Sequence, residues 1–175
     1  KLFVKEAPAQ STRNWRDISV YEEIMRIPNV IMIHPSVPTT ELYKNCSLVM
    51  TISGSSGFEA AFYQKPSIVF NDPSYTILPS VTRVKSIHDL SNAIAESLKK
   101  KVLASDLDKY IVLLEKNTFS FDSYDLETKQ HNEFFYGGNL IDVEISDSKM
   151  LSFLEKNKSQ FEKLSEEYIK KINGL

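Results

Sequence analysis

A single cysteine, Cys46, among 175 residues excludes an internal disulfide framework and suits a reducing compartment. Charge of one sign is also missing: 21 basic against 23 acidic residues leave a formal net charge of −2. Sequence-independent binding of DNA or RNA draws on a basic surface, so no nucleic-acid partner is expected. No apolar run approaches the roughly 20 residues of a membrane span, and no signal-peptide pattern is visible. His, Cys and carboxylates show no metal-ligand spacing, so neither a metal nor another cofactor is expected. Repeats and low-complexity tracts are absent as well. The chain lacks an initiator Met and opens inside a strand-like segment, Leu2 to Val4, so we expect it to be a piece of a larger protein.

An apolar share of 42% is enough for a packed core, and the length allows one domain with an appendage. The first hundred residues alternate strand and helix patterns. Leu2-Phe-Val-Lys reads as a strand, Val20 to Ile27 as a helix, and Val30-Ile-Met-Ile as a strand buried on both faces. Thr39 to Cys46 reads as a short helix behind Pro38. Leu48 to Ile52 and Ser67 to Phe70 read as buried strands flanking a helix, Phe58 to Gln64. A strand at Thr82-Arg-Val precedes a helix from Ile87 to Lys99, with Ser86 as its N-cap. This alternation predicts an α/β fold with a parallel sheet flanked by helices.

Beyond a boundary near residue 104 the pattern turns helical. Ser105 to Lys116 and Asp122 to Tyr136 read as helices, the second stopped by Gly137-Gly138. Met150 to Ile172 reads as one long helix with Leu154, Phe161, Leu164, Tyr168, Ile169 and Ile172 on one face. The aromatic group Phe119, Phe121, Tyr124, Phe134, Phe135 and Tyr136 is read as packing, since it lacks the basic residues of a nucleic-acid platform.

The chemistry concentrates in Ser53-Gly-Ser-Ser-Gly57, a small-residue turn between strand and helix. Backbone N–H groups in such a turn converge on an anion, and the carboxyl end of a strand is where ligands bind open α/β sheets. The pattern is neither a P-loop, nor the dinucleotide fingerprint, nor a nucleophile elbow. It predicts a site for a phosphate-bearing ligand, a nucleotide or nucleotide-sugar; the plain alternative is a tight turn with Ser56 as N-cap. Glu59, three residues after Ser56, completes a capping box or else accepts from ribose hydroxyls. Lys5-Glu6-Ala7-Pro8 leaves the first strand at the same edge of the predicted sheet, where Lys5 or Glu6 faces the site or is merely solvated. His34-Pro35 ends the second strand, as a site residue or a polar edge residue. Cys46 is read as core.

Lys5-Glu-Ala-Pro8, Ile27-Pro-Asn-Val30, His34-Pro35, Thr40-Glu-Leu-Tyr43, Thr51-Ile-Ser-Gly-Ser-Ser-Gly-Phe-Glu-Ala60, Lys65-Pro66 and Phe70 together resemble bacterial capsule and surface-polysaccharide glycosyltransferases. The similarity spans roughly residues 1 to 85. It is to the carboxy-terminal, donor-binding half of a GT-B enzyme, in a group that includes Kdo transferases using CMP-activated sugar.

That resemblance implies a Rossmann-like domain over residues 1–104, one half of a GT-B fold. A helical extension over 105–175 would pack on it or on a missing N-terminal domain. It implies that Ser53, Gly54, Ser55, Ser56 and Gly57 hold donor phosphate, with Glu59 on the ribose and the loop from His34 and Pro35 to Thr40 near the base. Lys5 becomes the candidate for offsetting charge on the departing nucleotide. The donor would be a nucleotide-sugar, CMP-linked favoured over UDP- or dTDP-linked, and the acceptor a glycan or glycolipid. The place of action would be the cytoplasm or, by peripheral association, the inner face of the membrane. One departure stands out: where such enzymes read Lys-Glu-His-Pro, this chain has Ala7, which has no titratable group. Transfer is then expected to be weak or absent, with nucleotide binding retained. The rivals are half of a sugar-nucleotide 2-epimerase and a non-catalytic nucleotide-binding or scaffold module.

Overall fold

Parallel strands joined through helices make up the amino-terminal part of the computed structural model, which describes residues 1–7, 16–140 and 143–174. The order is β1 (Leu2–Lys5), α1 (Ile18–Arg26), β2 (Val30–Ile33), α2 (Thr39–Asn45), β3 (Val49–Thr51), α3 (Ser56–Phe62), β4 (Ser67–Val69) and β5 (Val81–Arg83). α4 (Leu90–Ser97) and α5 (Ala104–Asn117) follow, then α6 (Ser123–Phe134), α7 (Asp147–Lys156) and α8 (Lys158–Asn173). The chain divides into two units, Lys1–Tyr110 and Ile111–Leu175. The result is the expected α/β class, Rossmann-like in its parallel strands and flanking helices, with a helical carboxy-terminal region.

The backbone ladder forms two sheets. β1 pairs with β2, and β4 lies between β3 and β5, every pairing parallel. In the second sheet Thr51, Val69 and Arg83 share one row, as do Met50, Ile68 and Thr82. β4 is the covered centre: Ser67, Ile68 and Val69 are all buried. β2 departs from expectation, since none of Val30–Ile33 is fully buried and Phe3 and Ile31, paired across β1–β2, are exposed. A parallel sheet hides both faces only where helices cover both, and α1, the helix that packs on β2, itself buries no residue.

Local chemistry sets the ends of the elements. Asp17 caps α1, its carboxylate accepting from Ser19 N at 2.8 Å. Ser86 caps a single 3₁₀ turn, Ile87–Asp89, so the expected helix 87–99 is a 3₁₀ turn running into α4. α3 ends in a Schellman arrangement: Lys65 N donates to Ala60 O and Gln64 N to Ala61 O, both at 3.0 Å. Gln64 occupies the left-handed position with φ of 57°. A side chain there costs about 1 kcal/mol, so Gln64→Gly should raise stability by that amount in urea titration. No gain would mean that the Gln64 side chain contributes an interaction of its own.

In the second unit, the helix expected over Met150 to Ile172 is broken at Asn157. Asn157 is buried and its side-chain amide donates to Phe153 O at 2.9 Å, competing with continuation of the helix. The aromatic residues divide. Phe134 is fully buried against Phe153, with ring centroids 4.8 Å apart, whereas Tyr124 and Tyr136 are exposed. Leu154, Tyr168, Ile169 and Ile172 of the expected apolar face are exposed too. Among the described residues no helix is long and apolar enough to cross a membrane.

Candidate functional site

The Ser/Gly turn leaves β3 and enters α3, whose first helical residue is Ser56. Three bonds from its own surroundings shape it. Gly54 N donates to Thr51 Oγ1 at 3.1 Å, Tyr75 Oη donates to Gly54 O at 2.6 Å, and Ser67 Oγ donates to Gly57 O at 2.8 Å. Tyr75 is buried, which pushes its phenol above the ordinary tyrosine range. The glycines serve closeness, since neither has a positive φ. A Cβ on Gly57 would lie 2.8 Å from Tyr75 Oη and 3.2 Å from Thr51 Cγ2, and one on Gly54 would lie 2.9 Å from Thr51 Oγ1. The backbone there is pressed against its own sheet and against Tyr75.

The expected capping box does not form. The N-cap is Ser55, in a helical conformation and with no side-chain cap bond. Glu59 reaches back instead to the Ser55 hydroxyl, which donates to Oε1 at 2.6 Å. Its Oε2 accepts from Tyr43 Oη at 3.0 Å. Both carboxylate oxygens therefore have partners within the chain. Tyr43 is 1% exposed. Burial first, and then the Glu59 carboxylate, hold its phenol well above the usual tyrosine range. The amides of Ser53, Ser55 and Ser56 have no partner among the described residues, and Ser53, Gly54 and Ser55 are exposed. The turn thus presents three N–H donors and the Ser53 and Ser56 hydroxyls.

The remaining predicted residues sit at the carboxyl edge of the other sheet. Lys5 ends β1, pairing with Ile33, and among the described residues its ammonium has no partner. Glu6 accepts from Arg16 Nε at 2.9 Å. Ala7 is exposed, and Pro8 lies outside the described residues. His34 follows β2, with Ser36 N donating to its Nδ1 at 3.2 Å and Ser36 Oγ 2.7 Å away. That contact favours the tautomer carrying hydrogen on Nε2, which leaves a donor on an exposed ring. Pro35 begins the turn from β2 toward α2 and is half-buried. Lys5, Ala7, His34 and Pro35 are thus brought to one edge and residues 53–59 to another, and among the described residues no backbone ladder joins the two sheets. Cys46, half-buried at the end of α2, is raised in pKa chiefly by burial.

Sequence reasoning missed the residues that shape the turn from a distance. Tyr43 lies 16 positions and Tyr75 21 positions from their partners, and no local period marks either. It also missed a cation at this edge: Arg83, the last residue of β5, pairs with Asp72, whose other oxygen accepts from Thr76 Oγ1 at 3.0 Å.

Among the described residues, no group of three or more His, Cys, Asp or Glu is arranged to hold a metal ion. No curated protein and no solved structure gives a significant match. The family described as capsule polysaccharide biosynthesis protein matches residues 1–118, about two thirds of the chain and all of its first unit. With its parallel sheets and its Ser/Gly turn at a strand's carboxyl end, the chain belongs to the capsule polysaccharide biosynthesis family.

Proposed function

We propose that this chain is the donor-binding part of a glycosyltransferase that builds capsule or surface polysaccharide. The donor is a nucleotide-sugar, CMP-linked in preference to UDP- or dTDP-linked, and the acceptor is a glycan or glycolipid. The observation that carries this reading is the turn at the carboxyl end of β3, with three amides unpaired among the described residues, in a chain of the capsule family. In the transfer the bond from the anomeric carbon to the phosphate oxygen breaks. An acceptor hydroxyl forms the new bond and gives up its proton to solvent. Negative charge gathers on the departing nucleotide, where the Ser55 and Ser56 amides and the turn hydroxyls offset it. Glu59, engaged by Ser55 and Tyr43, acts on the turn more directly than on a ribose. Lys5 and the His34 Nε2–H would act from the other sheet edge.

Titration calorimetry with CMP, UDP and dTDP tests the reading, with CMP expected to bind most tightly. Heat from none of the three sinks it. Ala7 bears on catalysis alone: its side chain carries no proton to give and donates no hydrogen bond. Ala7→His should therefore raise transfer in the whole protein while leaving CMP affinity within a few-fold. An Ala7→His variant that binds CMP but still transfers nothing favours the non-catalytic module.

A further inference from the structure

At the carboxyl edge of β3–β4–β5, the nearest thing to a prepared anion partner outside the turn is Arg83. The exits of these strands are stitched together. Ile52 O, immediately before Ser53, accepts from Phe70 N at 3.1 Å and Asn71 N at 3.0 Å, and Val84 N donates to Val69 O at 2.8 Å. Asp72, the residue after Asn71, is thereby held close to the start of the Ser/Gly turn, and Asp72 grips Arg83. Arg83 also stands in one row with Val69 and Thr51. Two strand spacings put its Cα about 10 Å from that of Thr51, with buried Val69 between them, so that the arginine side chain reaches the site over the strand ends rather than across the row.

The guanidinium is positioned but not used up. One nitrogen, Nη1, meets Asp72; Nε and Nη2 have no partner among the described residues. An exposed pair of this kind is weak in itself, so a phosphate can share the cation. A planar fork with its Nε–Nη2 edge free matches a phosphate better than an ammonium does. Thr76, bonded to Asp72, fixes the carboxylate and through it the arginine.

We propose that Arg83 is a phosphate-binding residue of the nucleotide site at this sheet edge, held in place by Asp72 and Thr76. The proposal rests on the nucleotide reading above. It adds the cation that the turn itself lacks.

The test compares CMP with cytidine by calorimetry on the intact chain. Arg83→Gln should weaken CMP roughly tenfold or more, the worth of a charge-assisted bond, and leave cytidine unchanged. Arg83→Lys should lose only a few-fold, and Lys85→Gln, which alters a neighbouring exposed cation, should match the unsubstituted chain. On that chain, CMP should protect Arg83 but not Arg26 from phenylglyoxal, read by peptide mass, which does not depend on any variant folding. Unchanged CMP affinity in Arg83→Gln, or equal modification of Arg83 with and without CMP, overturns the Arg83 proposal while the nucleotide reading stands. If the unsubstituted chain binds none of CMP, UDP and dTDP, both fall.

Discussion

Ile68→Ala should lower the stability of the first unit by about 2–5 kcal/mol, read from the midpoint and slope of a denaturant titration. Ile68 is completely buried in the central strand β4, between Met50 of β3 and Thr82 of β5. Removing three carbons there deletes apolar transfer energy and leaves a cavity that neighbours on both sides cannot collapse into. A domain holds only about 5–15 kcal/mol in all, so the variant should populate unfolded chains at moderate temperature. Ile68→Val, a single methyl, should cost about 0.5–1.5 kcal/mol and bind CMP normally. A cost below about 1 kcal/mol for the alanine would contradict β4 as the covered centre of the sheet.

The second large effect lies at Glu59. Glu59→Ala strands the Tyr43 hydroxyl in a buried position with no acceptor and should cost about 1–3 kcal/mol. Tyr43→Phe keeps the ring tilted against Tyr63, at 5.3 Å between centroids, and leaves Glu59 with Ser55. The double variant should therefore cost less than the sum of the two, a coupling that a double-mutant cycle measures directly. The pair also has a pH signature. The folded phenol ionises above its unfolded value, so its contribution is intact below the unfolded pKa of about 10 and is lost as pH rises beyond it. Each pH unit there removes about 1.4 kcal/mol from this source. Urea titrations between about pH 9 and 11 should show a shallower alkaline decline for Tyr43→Phe than for the unsubstituted chain. Equal declines would mean that the phenol is not held by Glu59 and burial.

Much of this arrangement can be read from residue order. The apolar runs at 30–33, 49–51 and 67–69 lie where β2, β3 and β4 form, and each falls within a residue or so of its expected bounds. The small residues at 53–57 mark the strand-to-helix turn because their chemistry is local. What is not legible comes from packing between distant segments. Whether Val30–Ile33 is hidden depends on which helices cover it, and the run of apolar residues looks the same either way. The S-x-x-E spacing at Ser56 and Glu59 matches a capping box, yet the helix begins one residue earlier in register and Tyr43 competes for the carboxylate. The helical pattern over 150–172 is continuous in hydrophobicity, and one buried amide at Asn157 divides it. Arg83 looks like an ordinary strand-end charge until the pairing of β4 with β5 aligns it with Thr51.

The phenol of Tyr75 on Gly54 O has a consequence for how a ligand would arrive. With the Gly54 carbonyl fastened from outside and the Gly54 amide fastened to Thr51, the loop has already lost much of its conformational freedom when the chain folds. A guest meets donors that stand ready, so association should carry little signature of coupled folding in its heat capacity.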